Sequence, residues 1–502
     1  MARCDRAPQP GRSDAASDPV TADLSYSDVL VVGGGSAGCV VAGRVSADPA
    51  CVVTLVESGP RAVASGPLGV LPVGPDSDVV WRHPAQLRED APETVLARGR
   101  VVGGSGAVNG GYFVRATAAD FTRWPRSWSY EEVLPHFRRL ESDPFGDRAW
   151  HGDSGPMPVT RTADLHPVGA AFVGAATDAG FDHRADLNEP DATGVGPVPL
   201  NARAGVRVST ADAYLVPHAD RPNLRVHAGV RAVRLVLDGT RVVGAEVEEG
   251  GRMRLLRAGT VVLCAGAVGT PHLLMHSGIG PAQQLSRLGL PVVLDRPGVG
   301  QGLEDHPEAT LAYRPAGSLP YRPDRAVLEV VLETDDLELR PYTAPFGAAI
   351  PGVDDPFGRV GVALMRPDSR GEIVLRSADP AVPPLVRYRY LRSDADRAAL
   401  GAGLDLAAAL LAASGLGEVA GGGAGTDPLA GLGTSMHLSG GCAMGSADDP
   451  HAVVDDRCRV AGVDGLWIGD GSVFPSLPSR GPHATVVMVA ERVARFVAGL
   501  DA

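Results

Sequence analysis

The run VLVVGGGSAGCVV, from Val29 to Val41, constrains this chain more than any other stretch. Val29 to Val32 suit a strand buried on both faces, because nothing polar alternates with them. Gly33, Gly35 and Gly38 follow as G-x-G-x-x-G. The first permits a tight turn, the second lets backbone approach a pyrophosphate, and the third lets the next helix lie against the strand. The N-terminus of that helix offers unpaired N–H groups and partial positive charge to an anion. A second apolar run, CVVTLVE, ends at Glu57, nineteen residues beyond Gly38. A carboxylate there accepts hydrogen bonds from an adenosine ribose. The pattern predicts a parallel strand–helix–strand unit that holds a dinucleotide, either nicotinamide or flavin.

Composition narrows the setting. The 502 residues, 44% hydrophobic, allow two intertwined domains around a substantial core. The net charge of −13 disfavours nucleic acid and anionic membrane as partners. There is no run of eighteen apolar residues, so no transmembrane span is expected. Residues 1–26 lack a secretory hydrophobic segment and read as a flexible leader. The six cysteines have no C-x-x-C spacing, which argues against a disulfide framework and for a reducing cytosol, with peripheral membrane contact as an option.

Further along, SWSYEEVLPHFRRLE has helical periodicity, and the runs LRVHAGVRAVRLVLD and RVVGAEVEE meet at Asp238-Gly239, a hairpin signal. GTVVLCAGAVGTPHLLMHSGIG reads as a buried strand, a glycine turn and a helix. RGEIVLRS looks like part of a hairpin, an alanine-rich helix is expected near Leu404 to Ala413, GLGEVAGGGAG reads as a flexible loop, and the chain ends in a helix. No repeat is visible at periods of about 20 to 50 residues.

Four separated motifs then resemble the glucose–methanol–choline (GMC) oxidoreductase family, which binds FAD. GGGSAG with Glu57 is similar to the family's ADP-binding unit. RGRVVGGSGAVNGG resembles its first signature, GAVGTPHLLMHSGIG its second, and MHLSGGCAMG followed by AVVDDRCRVAGVDGLWIGDGSVFP its C-terminal part. The resemblance implies an α/β fold with an α+β second domain: a Rossmann-like FAD-binding domain and an antiparallel-sheet substrate-binding domain. The FAD domain is expected over 27–159, 196–307 and 433–502, and the substrate domain over 166–195 and 308–432. It implies cofactor-binding positions at Gly33, Gly35, Ser36, Gly38, Glu57, Gly103, Gly104, Ser105, Asn109, Val230, Asp470 and Gly471. Some relatives carry a flavin-tethering histidine where this chain has Val108, so the FAD is expected to be noncovalent. Within the family, LPVGPDSDVV, GGSGAVNGGYFVRA and HGDSGPMPV look most like the branch associated with the mycofactocin redox peptide.

An alcohol delivers hydride to a flavin only as its hydroxyl proton departs, so a base must face the flavin N5. Histidine, with a pKa near 6.5, suits the task. The resemblance places such a residue at His437 and a second active-site position at His483; His437 is assigned the proton and His483 the substrate oxygen, with exchanged roles as the alternative. Other readings stand beside this one. His437, Cys442, His451 and Cys458 lack the paired spacing of a structural metal site, and no metal is expected. Cys442 lacks an activating neighbour beyond His437. Asp305 and His306, in VGQGLEDHP, read as structural, and Met436 and Met444 as packing. The expected partner is a small-molecule alcohol, a redox-peptide carrier among the candidates. The electron acceptor is open, with the respiratory chain and O₂ as options. An NAD-dependent dehydrogenase would use the first motif alone, and a flavin-scaffold lyase would keep all four motifs.

Overall fold

The computed structural model describes residues 26–61, 66–420, 429 and 431–500. Apart from Tyr26, which opens the first strand, the leader lies outside them. The strand Tyr26–Val32 runs parallel to Val53–Glu57 on one side and to Arg252–Leu263 on the other, with Val32 opposite both Val56 and Leu263. Leu224–Ala228 pairs in parallel with Val53–Glu57. Arg252–Leu263 is long enough for two partners on its far side. Its first half is antiparallel to Arg241–Glu249, and Val261 to Leu263 run parallel to Leu466–Ile468. The helix Ser36–Val45 buries every residue except Ser36 and Arg44, as a helix under a parallel sheet must. The C-terminal helix His483–Val497 covers it, pinned by Arg44 Nε to Glu491 Oε1 at 2.9 Å and by the Tyr214 hydroxyl to the same oxygen at 2.7 Å.

Three sequence expectations need correction here. The run from Leu224 to Asp238 is two strands, broken at Gly229, whose φ of +74° turns the chain away from its parallel partner into the antiparallel Val230–Asp238. The hairpin turn consists of Gly239 and Thr240, one residue later than expected, because Asp238 pairs with Arg241. Gly417–Val419, expected in a flexible loop, is a strand against Tyr313 to Pro315; residues 421–425 of that segment lie outside the described residues.

A second sheet, antiparallel throughout, has the order Gly417–Val419, Pro307–Pro315, Gly358–Leu364, Leu337–Pro341, Val330–Glu333, Gly194–Pro197, with Leu432–Thr434 also paired to Pro307–Pro315. Gly194–Pro197 and Leu432–Thr434 each straddle an expected domain boundary. Register divides its faces. Ala309, Val362 and Leu339 stand side by side and buried on one, while Glu308, Thr310 and Arg340 belong to the other. The apolar face takes the helices Pro167–Asp178 and Asp394–Ser414. Gly403 allows the second to settle, since a Cβ there would lie 2.6 Å from Val362 Cγ1. That helix is long and apolar enough to cross a membrane, yet its apolar side is spent on this sheet. A five-stranded sheet joins Val80–Gln86 and Thr94–Gly99 to Leu385–Arg387, Gly371–Val374 and Gln301–Leu303; Gly371–Val374 comes from RGEIVLRS.

A buried charge cluster ties the segment after the helix Tyr130–Leu140 to the rest. Glu141, Asp143 and Asp186 face Arg115, Arg161 and His151. Burial pulls the His151 pKa down, but hydrogen bonds from its ring to Asp186 at 2.8 Å and Glu141 at 2.7 Å outweigh it and push the value up to about 9. Three anions thereby meet three cations. Since the folded pKa exceeds the unfolded value near 6.5, the stabilisation is complete below about pH 6.5 and is lost as pH climbs through about 9. The melting temperature is expected to fall by several degrees between those values, and His151→Gln to flatten the profile; a parallel decline in the variant would contradict this.

Candidate active site

The loops that follow Val32, Glu57, Leu263 and Ile468 open onto one cavity of about 900 Å³, at the carboxyl ends of the parallel strands where open α/β sheets hold ligands. Its floor is made of glycine. Gly33 has φ +100° and crosses the Cys264 carbonyl so closely that a Cβ would lie 2.5 Å from that oxygen. Gly104, at φ +57°, meets Gly35, and a Cβ there would be 2.6 Å from Gly35 Cα. The two glycine loops also share a hydrogen bond, Gly103 N–H to Gly34 O at 2.7 Å. No side chain caps the helix at Gly35, and its first turn holds no acidic residue, so its N–H groups are left for an anion.

Of the predicted positions, Gly33, Gly35, Ser36, Glu57, Gly104, Ser105, Asn109, Val230, Asp470, Gly471, His437 and His483 share this cavity wall. Gly38 and Gly103 stand behind it as packing positions. Glu57 is buried, and its oxygens accept from Gly34 N–H at 2.9 Å and Gly59 N–H at 2.8 Å. Burial raises its pKa while those two bonds oppose the rise. Each oxygen keeps acceptor capacity for a ribose. Glu57→Ala is expected to weaken flavin retention by about 1.5–3 kcal/mol, roughly 10- to 150-fold, with Glu57→Gln intermediate. Unchanged flavin content after dilution and desalting would count against the ribose assignment. Asp470 serves the protein itself, accepting from Gly266 N–H at 2.7 Å, Thr270 O–H at 2.6 Å and Ser472 N–H at 2.9 Å. It fastens the helix Gly266–His276 to the C-terminal wall.

The histidines have defined tautomers, set by their partners. His306 is buried, and its Nε2 lies 3.1 Å from the Pro478 carbonyl oxygen, which only accepts, so Nε2 carries the proton. Burial, with Arg340 nearby, lowers its pKa to about 3 and keeps the ring neutral, leaving Nδ1 a lone pair. Nδ1 sits 2.8 Å from Nδ1 of His437. His437 must therefore donate from Nδ1, which leaves its Nε2 unprotonated. Burial first, then His306 and Arg340, hold the His437 pKa well below the usual histidine range. Its backbone N–H donates to Asp305 Oδ1 at 2.8 Å, and a Cβ at Gly481 would be 3.4 Å from its Nε2. His483, its pKa lowered by burial to about 4, has Nδ1 3.5 Å from Asn109 Nδ2, a long contact that makes Nδ1 the acceptor. Its Nε2 then bears hydrogen and has no hydrogen-bond partner among the described residues. One base and one donor thus line a single cavity.

Sequence reasoning read His306 as structural without its contact to His437 across 131 positions, and missed Gly106, where a Cβ would lie 2.7 Å from His483 Nε2. It also missed the polar roof, where Glu308 accepts from Tyr342 O–H at 2.8 Å and pairs with Arg340. The five described cysteines are buried; burial pushes the Cys39 thiol up to about 12 and Cys442 well above its usual value, so neither is a nucleophile. Among the described residues one grouping has metal-like spacing, Glu141, Asp143 and His151; it contains none of the predicted candidates, and its anions are already met by cations.

Fold and cavity together define a dinucleotide-binding oxidoreductase with a separate antiparallel sheet over its site. The chain belongs to the GMC oxidoreductase family, whose model matches residues 27–308 and 367–490. It is 48% identical, over 95% of its length and 99% of the relative's, to an uncharacterised GMC-type oxidoreductase from the thcA 5' region of Rhodococcus erythropolis. An oxygen-dependent choline dehydrogenase of Brucella ovis is 33% identical, with 94% and 96% covered. Among solved structures, pyridoxine 4-oxidase from Mesorbium loti superposes with a TM-score of 0.86 at 29% identity, covering 94% and 99%. Formate oxidase from Aspergillus oryzae gives 0.86 at 22%, covering 96% and 99%, and shows the fold alone.

Proposed function

We infer that this flavin oxidoreductase oxidises a small alcohol to a carbonyl compound, and the single observation that carries the reading is the complementary histidine pair. His437 Nε2, a lone pair in the cavity wall, takes the hydroxyl proton. His483 Nε2–H donates to the substrate oxygen and holds it while charge builds there. His306 keeps His437 in the tautomer that can act. Gly33, Gly35 and Glu57 would hold FAD, which when bound would supply the hydride acceptor for the carbinol carbon. Val108 offers no attachment chemistry, so acid precipitation is expected to leave the flavin in the supernatant.

The acceptor follows from the resemblance to the mycofactocin-associated branch: a dehydrogenase, with mycofactocinol as a candidate substrate and electrons passing toward respiration. An oxidase is the second reading, favoured by Arg98. Its guanidinium lines the cavity and binds the Met436 carbonyl beside His437, a fixed positive charge of the kind that stabilises superoxide. One experiment tests both. Bound flavin is reduced anaerobically with a panel of alcohols, then mixed with air or with a quinone. Bleaching by none of the alcohols would sink the alcohol reading; rapid, stoichiometric peroxide would replace dehydrogenase with oxidase.

A further inference from the structure

We propose that His272 and His276 form the core of a binding site for a divalent transition metal, of the Zn²⁺, Cu²⁺ or Ni²⁺ type, at the end of the helix Gly266–His276, where His272 reaches the cavity. The two residues sit one turn apart on the helix Gly266–His276, so their rings share a face, the arrangement by which i, i+4 histidines chelate zinc. Their rings stand at 73° with centroids 4.5 Å apart, and the two Nε2 atoms are 3.1 Å from each other. Two metal–nitrogen bonds of roughly 2.0–2.1 Å at a tetrahedral angle separate the nitrogens by ~3.3 Å. The side chains therefore need to open by only ~0.2 Å to take an ion in place of the proton they now share. Binding moves that proton to the Nδ1 of its own ring, a change of tautomer that leaves both rings neutral, and no electron moves.

Other groups nearby fit an incoming cation. The Asp379 carboxylate acts on His276 as an attractive charge. His83, on Val80–Gln86, is close enough to influence His272, and its buried Nδ1 has no hydrogen-bond partner among the described residues. Arg231 opposes the cation, but its guanidinium is held by Glu248, with Nη2 at 2.6 Å, and by the Pro380 carbonyl at 3.0 Å. His272 and His83 both line the cavity. The site is independent of which alcohol the enzyme takes.

The test is calorimetric titration of EDTA-treated holoenzyme with Zn²⁺ and Cu²⁺, together with the EPR spectrum of the copper form. One ion per chain is expected, with hyperfine coupling to at least two nitrogens. His272→Gln and His276→Gln should each weaken binding at least tenfold, whereas exposed His227→Gln should not. Flavin content and circular dichroism verify that each variant has folded; should either fail, the nitrogen coupling in the parent enzyme decides. Absence of a stoichiometric site, a spectrum without paired nitrogens, or equal affinity in both folded histidine variants would leave only a hydrogen bond and overturn the proposal.

Discussion

Replacing His437 with alanine is expected to leave the flavin bound while slowing its reduction by an alcohol about 10²–10⁴-fold, the usual cost of a lost general base. The side chain contributes an unprotonated Nε2, and no second free base occupies its place: His306 spends both nitrogens on Pro478 and His437. Because burial keeps His437 neutral well below its ordinary range, the parent enzyme's reduction rate should rise with pH only on the acid side and be flat by neutrality. His306→Leu tests the tautomer argument separately. It removes the acceptor for His437 Nδ1–H, so Nε2 can take up the hydrogen. Reduction should slow even though leucine never touches substrate, and flavin content should stay near that of the parent. Stopped-flow flavin bleaching reads both variants. Parental rates in His437→Ala would make the active-site reading wrong; a parental rate in His306→Leu would remove only its positioning role.

Gly38→Ala is expected to abolish flavin loading and lower the melting temperature, for a reason that lies inside the protein. The added Cβ would sit 1.9 Å from the Gly33 carbonyl oxygen, which is backbone and cannot swing aside. The helix Ser36–Val45 must back away from the strand, at a cost of about 1–3 kcal/mol or more for an overpacked core. The N–H groups at its start move with it. Gly35→Ala supplies the contrast. Its nearest protein neighbour would be Gly104 Cα at 3.8 Å, ordinary contact, so the variant should fold like the parent and still bind flavin poorly because the methyl group enters the cavity. The ratio of the flavin band near ~450 nm to protein absorbance, with thermal melts, distinguishes them. A yellow Gly38→Ala protein with unchanged stability would refute the packing argument.

The glycine floor was legible in the sequence because its requirement is steric and local: close backbone crossings exclude a side chain, and only glycine leaves that mark. The strand–helix–strand unit was legible for a related reason, since doubly covered strands are near-continuous apolar runs. Pairing was less so. The run Leu224 to Asp238 carries the same apolar signal on both sides of Gly229, and nothing in its pattern says that one half is parallel and the other antiparallel. Gly417–Val419 has too little side chain to declare itself a strand, and becomes one by adding to an edge. The reactive histidines came through motif resemblance, whereas His306, read as structural, is joined to His437 only by the fold. Charged clusters such as Glu141–His151–Asp186 are similarly invisible, because their members look like surface residues until the chain closes around them.

The strand Arg252–Leu263 takes Leu466–Ile468 as its last neighbour, and the N-terminal helix Ser36–Val45 lies under the C-terminal helix His483–Val497. During synthesis, the helix Ser36–Val45 must therefore wait for residues 483–497. A ribosome that has released residues 26 to 400 has exported the nucleotide unit with one face of its helix uncovered, an apolar surface open to association with other nascent chains. The glycine loops are present from the start, but the wall that Asp470 and His483 provide arrives only with the final few dozen residues. Cofactor capture then belongs after residues 466–497 have left the ribosome.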